Sequence, residues 1–257
     1  MQSPSACLKG ANCCPWHGTF GLVFLAPGDE VTMPKPIVTG LYYGGVDSFI
    51  APDGRPLVTG IRKRPAAAGF LGTNGFPDDA SAEPDHHTQD RTVHLFSNEN
   101  YLLLEARLGV VLPRPTFGEN LTTAEMLESE VYVGDHFRVG KAVICVTQPT
   151  ERCKTIGRSL GFPRILKVLH ELELCGFYAR VVQPGSVDLG DTVELCERPQ
   201  VSWSIRRLHQ IMFRQLSNDH LVDQVLAIRE LSNEWKKRIE VMRGRLRRGE
   251  PLSSNLI

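Results

Sequence analysis

The sequence predicts a mainly β protein: a distorted β-barrel with peripheral helices, followed by a small C-terminal three-helix domain. Three observations carry this expectation. Short β-branched runs punctuated by Gly, Pro and Asp recur between residues 37 and 199. Two stretches of helical periodicity interrupt them. After Pro199 the apolar spacing becomes helical throughout.

Residues 1–36 differ from the rest, with Gly, Pro, three cysteines and no clear period, and read as a flexible leader. The folded unit is expected to start near Met33. Cys13, Cys14 and His17 are ligand types, but they have no second ligand pair nearby. The first strand is expected over Ile37 to Tyr43. Others follow at Leu57 to Ile61, Thr92 to Phe96, Val131 to Val133, Phe137 to Val139, Ala142 to Thr147, Phe177 to Val182, and Thr192 to Cys196. In the run 141–147, Ala142, Ile144 and Val146 share one face while Val143 and Cys145 lie on the other, so this strand should be buried on both faces. Gly134-Asp135 and Gly190-Asp191 are turn signals. Many short strands at this spacing favour a barrel over a doubly wound sheet. The interrupting helices are expected at Asn98 to Leu108 and Pro163 to Cys175, the second with a stripe of Ile165, Val168, Leu169 and Leu172.

A barrel domain is thus expected over 37–199 and a three-helix appendage over 200–257. The first of these helices spans Trp203 to Leu216. The second follows the Asn218 cap, and the third follows Ser232 and carries Trp235, Ile239, Met242 and Leu246. Each is short enough to be marginal alone, so their apolar stripes should pack on one another.

The chain has 257 residues, with 29 Lys and Arg against 29 Asp and Glu. That balance disfavours a globally basic nucleic-acid binder and an acidic solvating protein. No stretch approaches 18 apolar residues, so no membrane partner is expected. Seven cysteines without a CxxC pair, and no secretory signal, point to free thiols in a reducing cytoplasm. Charge is uneven: residues 201–257 carry a net +5, concentrated in Lys236, Lys237, Arg238, Arg243, Arg245, Arg247 and Arg248.

Four segments could carry chemistry. In VTQPTERCKTIG (146–157), Pro149 should end a strand and Arg152 and Lys154 flank the Cys153 thiol. Neighbouring cations favour thiolate, but the residues leave a structural cysteine equally open. PDHHTQDRTVH (84–94) gathers Asp85, His86, His87, Asp90, Arg91 and His94, either as metal ligands or as polar loop residues orienting an anion. FGENLT (117–122) offers a tight turn at Gly118 and the dual donor and acceptor Asn120. Arg62, Lys63 and Arg64 form a basic triplet, phosphate-binding or solvated.

Taken in order, TGIRKRP (59–65), HHTQDRTVH (86–94), FGENLT (117–122), VYVGDHFRVGKAVICVTQPTERC (131–153), GFYARVVQPGSVDLGD (176–191) and the helical tail 202–248 resemble the MOSC domain, within it the YiiM-like branch with a three-helix appendage. The resemblance implies a distorted β-barrel that binds the molybdenum cofactor (molybdopterin). It implies Cys153 as the catalytic residue and metal ligand, its soft thiolate suiting molybdenum. Lys63, His86, Arg91, Asn120 and Arg152 are the implied cofactor-binding residues; His86 matches the family's His-Gly-Gly motif, although His87 and Thr88 stand in place of its glycines. The loop between Gly72 and His86 is longer than the common version.

The activity implied is reduction of small N-hydroxylated substrates, such as hydroxylaminopurines, to amines, with reduced molybdenum accepting the substrate oxygen. No flavin, haem or iron–sulfur motif is present, so a separate electron-donating reductase is the implied partner, with the basic tail as its docking element. A non-catalytic cofactor or sulfur carrier, a thiol hydrolase using Cys153 with His86 or His94, and nucleic-acid binding by the tail are the competing readings.

Overall fold

The computed structural model describes residues 35–82 and 88–250. The expectations for the leader, for Cys13, Cys14 and His17, and for His86 and His87 lie outside the described residues. The elements run β1 (Ile37–Tyr43), β2 (Asp47–Ile50), β3 (Pro56–Thr59), β4 (Arg64–Pro65), β5 (Ala68–Leu71), β6 (Val93–Ser97), α1 (Asn98–Leu108), β7 (Leu121–Ala124), β8 (His136–Val139) and β9 (Ala142–Pro149). They continue with α2 (Lys154–Leu160), α3 (Ile165–Glu171), β10 (Phe177–Gln183), β11 (Gly185–Asp188), β12 (Val193–Glu197), α4 (Ile205–Arg214), α5 (Asp219–Leu226) and α6 (Asn233–Arg247).

Eight strands form one sheet in the order β12-β8-β9-β10-β6-β7-β1-β4. Every pairing in it is antiparallel except β6 with β7. The sheet curls until its β12 edge reaches the start of β1. Ile37 bridges Thr192, the Val38 N–H donates to the Asp191 carbonyl at 2.9 Å, and the Val193 N–H donates to the Pro36 carbonyl at 2.7 Å. This near-closure makes the distorted barrel. Two small ribbons, β2 with β3 and β5 with β11, lie outside the main sheet.

The central strand β9 is buried along nearly its whole length, as its two apolar faces require. Its ladder does not stop short of Pro149. Pro149 pairs with Phe177, and the next residue continues with Thr150 N–H donating to the Gly176 carbonyl at 3.1 Å. Proline lacks only the donor, so it is tolerated at a strand end. Val131 to Val133 is not a strand. Its backbone instead grips the entry to α4: the Val133 N–H donates to the Trp203 carbonyl at 3.1 Å and Ile205 N–H to Val131 at 2.9 Å. Helix α2 is absent from the sequence expectation because only Ile156 and Leu160 give it an apolar spacing.

The three C-terminal helices are capped as their sequences require: Ser204, Asn218 and Ser232 each accept a hydrogen bond from the first turn. Their buried faces, among them Leu208, Met212, Val225, Trp235 and Ile239, pack together and also join the barrel residues Val131, Val133 and Val146 in one continuous apolar core. A second core beneath α1 and α3 contains Phe96, Tyr101, Phe117 and Ile165. Among the described residues no helix is long and apolar enough to cross a membrane.

His209 on α4 is 6% exposed and packs on Phe213 at 4.5 Å and near His170 at 6.1 Å. Burial, reinforced by the electrostatic effect of His170, Arg214 and Arg152, lowers its pKa from 6.5 to about 3. The unfolded chain therefore binds this proton at higher pH than the folded one. The stability that the neutral ring contributes is full above about pH 6.5 and is lost as pH falls towards 3. Urea titrations at pH 7 and pH 4.5 should show a smaller acid loss for His209→Phe than for the parent, by on the order of 1–2 kcal/mol.

Candidate active site

One cavity of about 350 Å³ opens where the β3–β4 connection, the residues before β6 and β7, and the segment after β9 come together. Lys63, Arg91, Asn120, Arg152 and Cys153 all line it, across 90 positions of sequence. Arg62 is turned away and lies over the Phe49 ring.

Cys153 is a free, partly exposed thiol at the N-cap position of α2, where its side chain makes no capping hydrogen bond. Its sulfur is therefore not committed to holding the helix. Arg152 is not simply a surface cation beside it. Its guanidinium lies beside the touching Phe96 and Phe117 rings, 5.2 and 4.9 Å from their centres, and donates to the carbonyls of Cys175 and Phe117. Burial lowers its pKa, against the opposing coulombic effect of Tyr178, Cys175, Glu119 and Tyr101.

Lys63 is 8% exposed at the side chain and paired with Asp79, itself 4% exposed, at 2.5 Å. Burial lowers the lysine pKa even though Asp79 opposes the shift. Asp79 also accepts from Asn120 Nδ2 at 2.8 Å and from the Gly44 N–H at 3.1 Å. Asn120 is fully used within the protein: its amide donates to Tyr42 and Asp79 and its oxygen accepts from the His94 N–H at 3.0 Å. It fixes the cavity wall and the position of Asp79.

Arg91 ends a short 3-10 turn, Gln89–Arg91, ahead of β6. Its Nε donates to Gln148 Oε1 at 3.2 Å, and the same oxygen accepts from the Ser232 hydroxyl at 2.5 Å. Ser232 is the N-cap of α6. Arg238 of α6 pairs at 3.2 Å with Glu151, another lining residue. The helical appendage is thereby tied to the cavity at two points. Part of its charge is also paired internally: Arg243 and Arg247 pair with Asp223 and Asp219, and Arg248 with Glu250.

Four lining residues escaped the sequence reading of the cofactor site: Asp79, His94, Thr150 and Tyr178. The sequence offers His94 as a metal ligand, as a loop residue orienting an anion or as a base for a hydrolase, not as a cofactor-binding residue. No local pattern marks Asp79 or Thr150, since their roles come from residues 16 or more positions away. Among the described residues no group of three or more His, Cys, Asp or Glu is placed to hold a metal ion. A metal here would need ligands beyond the protein.

The profile of the MOSC domain family matches residues 82–194. YflK of Bacillus subtilis (strain 168), an uncharacterized protein, is 32% identical over 186 residues, which is 72% of this chain and 84% of that protein. The chain belongs to the MOSC domain family. The solved YiiM from Geobacillus stearothermophilus shares the fold with a TM-score of 0.68 at 23% identity, over 80% of this chain and 98% of that one, and the MOSC chain falls in the YiiM-like branch. A protein of Gibberella moniliformis (strain M3125 / FGSC 7600) named "Reductase" is 29% identical over 150 residues, covering 56% of this chain but 26% of its own length. MOSC domains are associated with the molybdenum cofactor.

Two outcomes are expected from the site's electrostatics and packing. Asp79→Ala leaves Lys63 buried without its partner and should cost about 3–5 kcal/mol in urea unfolding, with much of the loss recovered in the Lys63→Met, Asp79→Ala double variant. Burial raises the Cys145 pKa to about 11 and holds Cys175 well above its usual range. Iodoacetamide at pH 8 should therefore modify Cys153 and Cys196 in the folded protein and spare Cys145 and Cys175, read by peptide mass spectrometry.

Proposed function

We propose that this MOSC protein is a molybdenum-cofactor-dependent oxidoreductase that reduces small N-hydroxylated compounds to amines, with electrons from a separate reductase. The observation that carries the reading is the convergence of an uncommitted, partly exposed thiol with Lys63, Arg91 and Arg152 on one polar cavity. A relative named as a reductase is consistent with redox chemistry in this family.

The donor set fits the group. Three buried polar atoms on lining residues, His94 Nε2, Thr150 Oγ1 and Arg152 Nε, have no partner within the protein. Buried polar atoms are normally satisfied, so their vacancy favours a ligand with many polar edges. When bound, the cofactor supplies a metal centre able to exchange two electrons and an oxygen atom. Cys153 would hold that metal through its thiolate, a soft ligand. Arg91, oriented by Gln148, would face the cofactor's anionic groups. Lys63 carries its charge into the same wall, with Asp79 and Asn120 fixing its position. Arg152, held by two backbone carbonyls and lying against two aromatic rings, adds a cation that does not need to reorganise when a ligand enters. His86 belongs to the proposed set by its match to the family motif.

Protein produced in a cofactor-synthesising host should contain molybdenum and pterin in near-stoichiometric amount. Cys153→Ala should lose the metal and at least 100-fold in reduction of 6-hydroxylaminopurine driven by an artificial reductant, while Cys196→Ala keeps both. A Cys153 variant with full molybdenum and full activity would overturn the proposal. Stoichiometric cofactor without any reduction would favour the carrier instead.

A further inference from the structure

The wall of the cavity carries charge of both signs. Its lining holds three cations, Lys63, Arg91 and Arg152, against two carboxylates, Asp79 and Glu151. Asp79 is held within the barrel, by Lys63 and Asn120. Glu151 is held from outside it. It stands two positions before Cys153, and Arg238 of α6 donates through Nε to Glu151 Oε2 at 3.2 Å.

This pair ends a longer seam. The Ser232 N–H donates to the Thr147 carbonyl at 3.2 Å and the Ser232 hydroxyl to Gln148 Oε1 at 2.5 Å. Trp235, 1% exposed, is buried between the two ends. Ser232, Trp235 and Arg238 recur every three residues and so share one face of the helix. The start of α6 thus runs along residues 147–151, the segment that leads to Cys153. Hydrogen bonds and apolar burial at Ser232 and Trp235 already hold the helix there. Arg238 and Glu151, with side chains 36% and 25% exposed, form a pair of the kind that adds little to stability. Its charge has a different use. A carboxylate in the wall of a partly buried cavity repels an anionic ligand more strongly than it would in bulk water. With Arg238 counted, the charge around the cavity rises from one net positive to two.

We propose that Arg238 is a positioning residue of the cavity: it draws the Glu151 carboxylate towards α6 and cancels its charge, so that the wall beside Cys153 accepts an anionic group. The proposal rests on reading the cavity as the site of the molybdenum cofactor, and it adds to that site a residue from the C-terminal helices. One arginine of the basic tail thereby acts inside the molecule rather than towards a partner.

The test follows molybdenum and pterin retained during dialysis of the full-length, cofactor-loaded protein. Arg238→Gln should lose cofactor about fivefold faster than the parent. Arg238→Lys, which keeps the charge, and Arg238→Gln combined with Glu151→Gln, which removes the carboxylate as well, should both stay near the parent rate. A parent-like rate in Arg238→Gln overturns the proposal. So does a double variant that loses cofactor as fast as the single one, because a purely structural contact is not restored by removing its second partner. If Arg238→Gln does not fold, Glu151→Gln alone decides: it should keep cofactor at least as well as the parent, and faster loss refutes the role of Arg238. A parent protein without molybdenum would overturn the functional reading instead. Calorimetric titration of the same proteins with inorganic pyrophosphate then tests the pair by itself. Arg238→Gln should weaken pyrophosphate binding about fivefold and the double variant should restore it. An unchanged affinity, or no binding to the parent, overturns the assignment.

Discussion

A lysine and an aspartate are buried against each other in the wall of the cavity, and the surrounding backbone is organised to make that tolerable. Removing two charges from water costs several kcal/mol each unless the geometry returns it. Here Asp79 receives both Lys63 and Asn120, together with the Gly44 N–H. Asn120 in turn binds the backbone of β1 at Tyr42 and of β6 at His94. One carboxamide thus sets the spacing of two strands and the position of an ion pair. Arg152 repeats the principle on the other side, where carbonyl groups and aromatic faces replace a carboxylate partner.

Much of this architecture is legible in the sequence because it rests on local periodicity. Helix α1 follows its serine cap and ends at Gly109 in the left-handed conformation, as the residues require. The three terminal helices follow Ser204, Asn218 and Ser232. The strand β9 shows its double burial in the alternation of Ala142, Ile144 and Val146 with Val143 and Cys145. What periodicity cannot carry is the partner of a side chain. Asp79 lies in a loop whose sequence, FPDDA, reads as a turn; only the fold brings it to Lys63 and Asn120. Arg152 reads as a cation flanking the Cys153 thiol, because nothing in ERCK indicates that its guanidinium will turn onto Phe96 and Phe117.

The C-terminal helices illustrate the same limit from the side of charge. A net +5 in the last 57 residues counts charges without placing them. Once folded, Arg243, Arg247 and Arg248 face carboxylates of the same segment, which that count already includes. Arg214 and Arg238 instead reach Glu173 and Glu151 outside it, and only these two pairs draw on the excess. Surface pairs of this kind contribute little stability, and the appendage keeps most of its basic excess after folding.

The hydroxyl of Ser232 has a consequence of its own. It caps α6 by accepting from the Trp235 N–H and at the same time donates to Gln148, which holds Arg91. The first turn of α6 and the Arg91 wall of the cavity thus share one acceptor, Gln148 Oε1. Helix ends are usually the first parts of a protein to open, but this one is buried, with Ser232 and Trp235 almost wholly covered. A helix terminus is here a fixed strut of the cavity wall, and a substitution at the cap is felt at both places at once.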